Sequence, residues 1–291
     1  MSLSSILFRI GAGKSDRKRD RCIPLPAGVT QVCNVSYGPY GKWNLLDVYY
    51  PEGKDCCSVI VNVHGGGYVY GSKEVYKRYC MDLARRGFTV VNVNYRLAPR
   101  WKFPAPLEDI NNAMLWLNRE ARHYHADITK LFMVGDSAGA QLVSQYAAML
   151  TNAEYMALFG FRRPDAGVQL KAVGLNCGMY DMAALAAGKR EGVFLDYLGR
   201  KLPQDDPRFR VLEAIGTNFP PAHVTTACHD FLRDAARPMH DFLAAKGIPC
   251  RYDCYGSEEK TSIGHVFHVN ILLEEAIGCN DDQCAFFRSF L

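Results

Sequence analysis

A serine with glycine two residues to either side stands at Gly135-Asp-Ser-Ala-Gly139. The apolar run Leu131–Val134 precedes it, and a helical pattern from Ala140 to Leu150 follows. That order is the context of a nucleophile elbow, a tight strand-to-helix turn that lifts a hydroxyl above a sheet edge. Ser137 is the candidate nucleophile, with Gly135 and Gly139 supplying the lack of bulk such a turn demands. The helix beginning beside it aims its positive end and free N–H groups at any oxyanion formed there. A second signal, His64-Gly65-Gly66-Gly67-Tyr68, follows the apolar run ending at Val63. Acyl transfer builds negative charge on a carbonyl oxygen, and fixed backbone N–H groups stabilise it. Glycines allow close approach of the backbone and positive φ. The expected oxyanion hole is therefore the Ala138 N–H with two of Gly65, Gly66 and Gly67. A plain glycine turn is the alternative; a phosphate loop would need a following Gly-Lys-Ser/Thr, which is absent.

A serine hydroxyl needs a general base, and the base needs an acid to orient it. Such partners come later in the chain, acid before histidine, on loops after late strands. Asp230 follows the run His223–Cys228 and takes the acid role, with Asp234 one helical turn on as its rival. Eight histidines compete for the base. His265, on the loop before the last helical pattern, can reach back over Ser137. His268 is expected inside that last helix, pointing elsewhere. His229 would point away from its neighbour Asp230 if the strand continued through it. His123 and His125 fall on a polar loop and are expected at the surface.

Positioning these groups requires a sheet. Apolar β-branched runs at 57–63, 88–95, 130–135, 171–177, 223–228 and 250–255 read as strands, and their continuous hydrophobicity suits a parallel sheet covered on both faces. Segments 31–38 and 42–51 read as a hairpin adding antiparallel strands at one edge. Helical spacing marks 75–86, 105–120, 137–150 and 233–246, the last stopped by Gly247 and Pro249. Alternating strands and helices predict an α/β fold of about eight strands. Two stretches break the alternation. They are the N-terminal arm, about 1–30, and 181–216, an insertion expected to form a helical cap.

Bulk properties narrow the function classes. The 291 residues are 48% hydrophobic and 22% charged, with a net charge of +4. Much of the positive charge lies in Lys14–Arg21, expected as a solvated or frayed terminus. There is no basic stripe interleaved with aromatics, so nucleic acid is not an expected partner. No run reaches the roughly 18 apolar residues of a membrane span. The 11 cysteines are odd in number, scattered, and partly inside apolar runs. With no secretory h-region, they point to a reducing, cytoplasmic setting. Cys56-Cys57 and Cys279–Cys284 lack a second Cys/His pair at metal-site spacing, so no metal is expected.

The ordered set His64–Gly67, Tyr95-Arg-Leu-Ala-Pro99 with Phe103-Pro-Ala105, Gly135–Gly139, Asp230–Asp234 and His265-Val-Phe267 resembles the hormone-sensitive-lipase-like family of α/β-hydrolases, the HGGG-type bacterial esterases. The resemblance spans roughly 40–270. It implies the α/β-hydrolase fold with an eight-stranded sheet, a cap of the N-terminal arm plus 181–216, and a single catalytic domain over 1–291. It also implies hydrolysis of short acyl esters. The triad Ser137, Asp230 and His265 would act through an acyl-enzyme, without cofactor or metal, on a small-molecule ester. Residues expected along the cap and acyl side are Tyr68, Met179, Tyr180, Phe194, Tyr197 and Leu198. Dimers occur among similar enzymes, so a homodimer is the expected assembly. Departures are Arg100 where the family usually has an acid, Ala140 where a further glycine is common, and the long stretch Ser257–Gly264. An amidase, an arylformamidase or a glycan deacetylase would use the same triad. A non-catalytic ligand receptor is the reading from another class.

Overall fold

A computed structural model describes residues 1–165 and 167–291. Helix α1 (Leu3–Asp20) leads into an edge hairpin, β1 (Val29–Ser36) and β2 (Leu45–Pro51). Then follow β3 (Cys57–Val63), α2 (Lys77–Arg85), β4 (Thr89–Val93), α3 (Ala105–Glu120), β5 (Ala126–Asp136) and α4 (Ala138–Thr151). A short α5 (Ala153–Ala157) precedes β6 (Leu170–Asn176). The insertion carries α6 (Met182–Ala187), α7 (Gly192–Leu198) and α8 (Val211–Ala214). The chain closes with β7 (Ala222–Ala227), α9 (Arg233–Ala245), β8 (Cys250–Tyr255) and α10 (Glu274–Arg288).

The eight strands form one sheet in the order β1-β2-β4-β3-β5-β6-β7-β8. The first two pairings are antiparallel and the rest parallel. Continuous hydrophobicity has the predicted cause: every residue of β4 and of β7 is buried, because helices cover both faces. One face packs Val61, Val91, Met133 and Leu175 against Leu107 and Met114 of α3 and Leu142 and Tyr146 of α4. The opposite face packs Ile60, Val90 and Phe132 against Tyr79 and Leu83 of α2 and Phe287 of α10. Phe132 and Phe287 stack with centroids 4.6 Å apart. The parallel strands point their C-terminal ends one way, so the loops after β3, β5, β7 and β8 gather at one edge, where open α/β sheets bind ligands.

Two expectations need correction. Lys14–Arg21 is no frayed terminus: α1 runs to Asp20 and is tied down by its Arg19 side chain, which bonds Asp16, Asp20 and the Val75 carbonyl. Exposed Lys14, Arg17 and Lys18 occupy its outer face. His268 lies outside the last helix, in the single 3₁₀ turn Phe267–Val269, and α10 starts only at Glu274. Two glutamates open α10, where the helix dipole favours acids. Among the described residues, no helix is long and apolar enough to cross a membrane.

Candidate active site

Ser137 occupies the turn between β5 and α4 with φ 53° and ψ −119°, a conformation that side chains rarely adopt. Its N–H donates to the Asn176 carbonyl at 2.9 Å, locking the turn to β6. The flanking glycines are a steric requirement. A Cβ at Gly135 would collide with the Gly139 carbonyl, and one at Gly139 with the Val63 carbonyl.

The loop after β3 is equally constrained. Gly66 and Gly67 have φ of 113° and 57°. A Cβ on Gly66 would strike the Tyr70 carbonyl, and the Tyr70 N–H donates to the Gly66 carbonyl at 2.9 Å. The Gly65 N–H already donates to the Tyr76 hydroxyl at 3.1 Å. Of the three glycines, Gly66 and Gly67 are therefore the two whose N–H groups remain for an oxyanion, with that of Ala138. His64 belongs to the scaffold. It stacks on Tyr95 at 4.2 Å, and burial pushes its imidazole down to about 4, so it is neutral.

Asp230 and His265 meet as a pair, Nδ1 to Oδ1 at 2.7 Å. The carboxylate also accepts from Thr226 Oγ1 and the Leu232 N–H, each at 2.9 Å. Burial works to raise its carboxyl, but the His265 hydrogen bond and charge, with the Leu232 N–H, outweigh it and hold the group below the usual range. The rival Asp234 is fully exposed beside Arg233. With Nδ1 on Asp230, His265 keeps Nε2 for a proton. Ser137 Oγ makes no hydrogen bond to His265 here, although both side chains line the same cavities. Hydrogen bonds of this kind often tighten only when substrate arrives.

The other histidines have different employment. His268 is buried edge-on to Tyr79, and burial drives it down to about 3. His229 turns to the Ser257 and Glu258 carbonyls. His123 is exposed beside Glu120, as expected, whereas His125 is half-buried, against the Tyr50 ring and the Asp55 carbonyl. Cys177, Asp230 and His265 present donor atoms within 4.8 Å of one another, the one such group among the described residues. A cation there would have to compete with the Asp230–His265 hydrogen bond, and the thiol is held protonated by burial.

Two cavities meet at Ser137 and His265. The first, about 300 Å³, is lined in part by Tyr68, Met179 and Phe194. Tyr180, Tyr197 and Leu198 do not line it. Tyr180 is buried with its hydroxyl on the Leu175 carbonyl, Tyr197 lies behind Tyr68 in a 3.8 Å stack, and Leu198 faces Phe103 and Pro99. Their apolar character serves the core. In their place stand Phe8, Val193, Phe231 and Leu232. Phe231, 75% exposed, tilts over the His265 ring at 4.1 Å. The second cavity, about 430 Å³, is walled by the inner face of α1 and by 261–273. Its α1 residues, Phe8, Ala12, Ser15, Asp16 and Arg19, recur at the three- and four-residue spacing of one helical face, a sequence signal that could have found them.

Asp136 is buried between Ser137 and the glycine loop. Its Oδ2 accepts from Tyr76 at 2.7 Å, and Tyr76 in turn holds the Gly65 N–H. Burial pushes the carboxyl up to about 6, against the lowering effect of the Tyr76 bond. A raised acid favours its protonated form, so its contribution to stability is present below the unfolded value near 4 and lost as pH rises through about 6. Asp136→Asn is therefore expected to gain about 3 kcal/mol over wild type between pH 4 and pH 7. Urea melts at both pH values check this, and a pH-independent difference would contradict it.

A family model described as the alpha/beta hydrolase fold matches residues 60–268. An ethyl acetate hydrolase from Pseudomonas putida is 32% identical over 198 residues, 66% of this chain and 61% of that protein. An FAD-linked oxidoreductase from Aspergillus terreus is 32% identical over 229 residues, which are 70% of this chain and only 26% of that protein. The chain thus spans less than two thirds of either relative. Among solved structures, an inhibited esterase B from Lactobacillus rhamnosis superposes with a TM-score of 0.88 at 22% identity, over 99% of this chain and 97% of that one. With the family model covering most of its length, the chain belongs to the alpha/beta hydrolase fold family.

Proposed function

We propose that the chain is a serine carboxylesterase that hydrolyses short acyl esters. The observation that carries this reading is the Asp230–His265 pair at 2.7 Å, opening with the strained Ser137 onto an apolar cavity of about 300 Å³. In this mechanism His265 Nε2 takes the Ser137 proton as Oγ attacks the ester carbonyl, and Asp230 steadies the imidazolium. The Gly66, Gly67 and Ala138 N–H groups receive the oxyanion. His265 returns the proton to the leaving alcohol oxygen as the C–O bond breaks. Water then repeats the sequence on the acyl-enzyme and releases the acid and Ser137. The name of the Pseudomonas relative, an ethyl acetate hydrolase, supports a short acyl group.

Helix α1 and the 181–216 insertion act together as the cap of this one domain. Support comes from Ser2, whose N–H and hydroxyl both donate to Asp196 of α7, and from Phe8, Val193 and Phe194 sharing one cavity wall. The eleven cysteines are free thiols, which supports a reducing, cytoplasmic setting. A homodimer is the assembly to test by light scattering.

The cavity's size makes acyl length the direct test. In a p-nitrophenyl ester series, kcat/KM is expected to be highest between acetate and hexanoate. It should drop by about 100-fold by dodecanoate, since a longer chain must leave the pocket and expose its methylenes. A maximum at dodecanoate would refute the short-acyl reading.

A further inference from the structure

The two cavities at Ser137 differ in chemistry. Around the smaller one stand Phe8, Met179, Val193, Phe194, Phe231 and Leu232. The larger one presents Ser15, Asp16, Arg19, Thr261, Ser262 and Asn270. Asp16 is held in place by Arg19 Nη1 at 3.0 Å and by the Tyr70 hydroxyl at 2.7 Å. Each of its oxygens still has a lone pair to offer. The Ser15, Thr261 and Ser262 hydroxyls and the Asn270 carboxamide make no hydrogen bond within the described residues. Four uncommitted polar side chains and a fixed carboxylate therefore border one chamber beside the nucleophile.

An ester has two arms, and the two chambers sort them. A plain alkyl arm in the polar chamber would strip water from these groups and give nothing back, costing free energy for each. An arm bearing hydroxyls would replace the water in kind. Proton delivery says which arm this is. The leaving oxygen must reach His265 Nε2; His265 borders both chambers, but the rest of its loop, Thr261, Ser262, Gly264, Val266 and Phe267, walls only the polar one. The acid arm is left with the apolar one.

We propose that the polar chamber receives the alcohol of the substrate, and that this alcohol is a polyol of the glycerol or sugar kind. This rests on the reading of Ser137 as nucleophile. Hydrolysis is the balanced reaction already given, with the polyol leaving under the His265 proton and water releasing the short acid.

The test compares acetates that share the acid and differ in the alcohol: butyl acetate, glyceryl monoacetate and a methyl glucoside 6-acetate, each followed by acid release in a pH-stat. Wild type is expected to favour the hydroxylated esters by about tenfold or more in kcat/KM. Ser15→Ala combined with Asn270→Leu, and separately Asp16→Asn, should lower the glyceryl-to-butyl ratio by about three- to tenfold per hydrogen bond lost, mainly through KM. The double variant leaves the Arg19 and Tyr70 anchors of α1 untouched, so it keeps the test open if Asp16→Asn misfolds. Butyl acetate preferred by wild type, or a ratio the double variant does not move, overturns the alcohol assignment alone. Full activity in Ser137→Ala on these esters would overturn the nucleophile and this assignment with it.

Discussion

Ser137→Ala is expected to lower kcat on a short-chain ester by about 10⁴–10⁶-fold, and His265→Ala about as far. The two changes together cost no more than either alone, because nucleophile and base act as one unit. Asp230→Asn costs about 10⁴-fold by releasing the imidazole from its tautomer. The geometry explains the scale. Asp230 gives His265 Nδ1 its only partner and is itself fixed by Thr226 and the Leu232 N–H. These bonds restrain the carboxylate, and through Nδ1 the ring, leaving Nε2 free on a ring that lines the same cavities as Ser137. Folding should be untouched by Ser137→Ala, since the serine's structural contact is its backbone N–H to Asn176. Initial rates with p-nitrophenyl butyrate, thermal melts and fluorophosphonate labelling decide the matter. More than about a hundredth of wild-type activity in a folded Ser137→Ala protein would remove Ser137 from the mechanism.

Most of the scaffold was legible because burial on both faces leaves a local mark. The runs at 57–63 and 250–255 are strands over the same residues, and 88–95 and 223–228 differ by a residue or two at their ends. The elbow could be read because both glycines sit two residues from the serine, although only Gly135 has a local cause, the start of its own helix, while Gly139 is pressed by the Val63 and His64 carbonyls of the neighbouring strand and loop. What escaped depends on distant partners. Nothing near Gly65 in the chain says that Tyr76 takes its N–H. Tyr197 and Tyr180 have the composition of pocket residues, and only packing assigns them to the core. Strand β5 begins at Ala126, earlier than its apolar run, since exposed Thr129 and Lys130 dilute the signal where the sheet edge is wet. The inner face of α1 is hard to see in the sequence because its basic outer face dominates the composition there.

Gly66→Ala is expected to lower kcat by about 10²–10³-fold with little change in KM, the loss typical of one misplaced oxyanion donor. Two constraints act at this residue. Its φ of 113° is open to glycine and strained for alanine, and its Cβ would meet the Tyr70 carbonyl, a backbone atom that cannot step aside. Relief requires opening the turn from Gly66 to Gly71. Gly71 is itself pinned, since its Cα packs against the His64 ring and the Gly65 carbonyl so closely that a Cβ there would overlap both. Strain at Gly66 therefore passes to the Gly67 N–H, the donor beside the apolar cavity. Gly53→Ala is the matched control. Its φ is 71°, with nothing within 4 Å of an added Cβ, so it carries the backbone strain without the collision. It should cost about 1 kcal/mol of stability and leave the rate alone. The KM-against-kcat split separates an oxyanion donor from a merely structural turn. A damaged substrate pocket raises KM, whereas a donor that matters once charge develops lowers kcat alone. If both variants lose stability equally and neither loses rate, the oxyanion is held elsewhere.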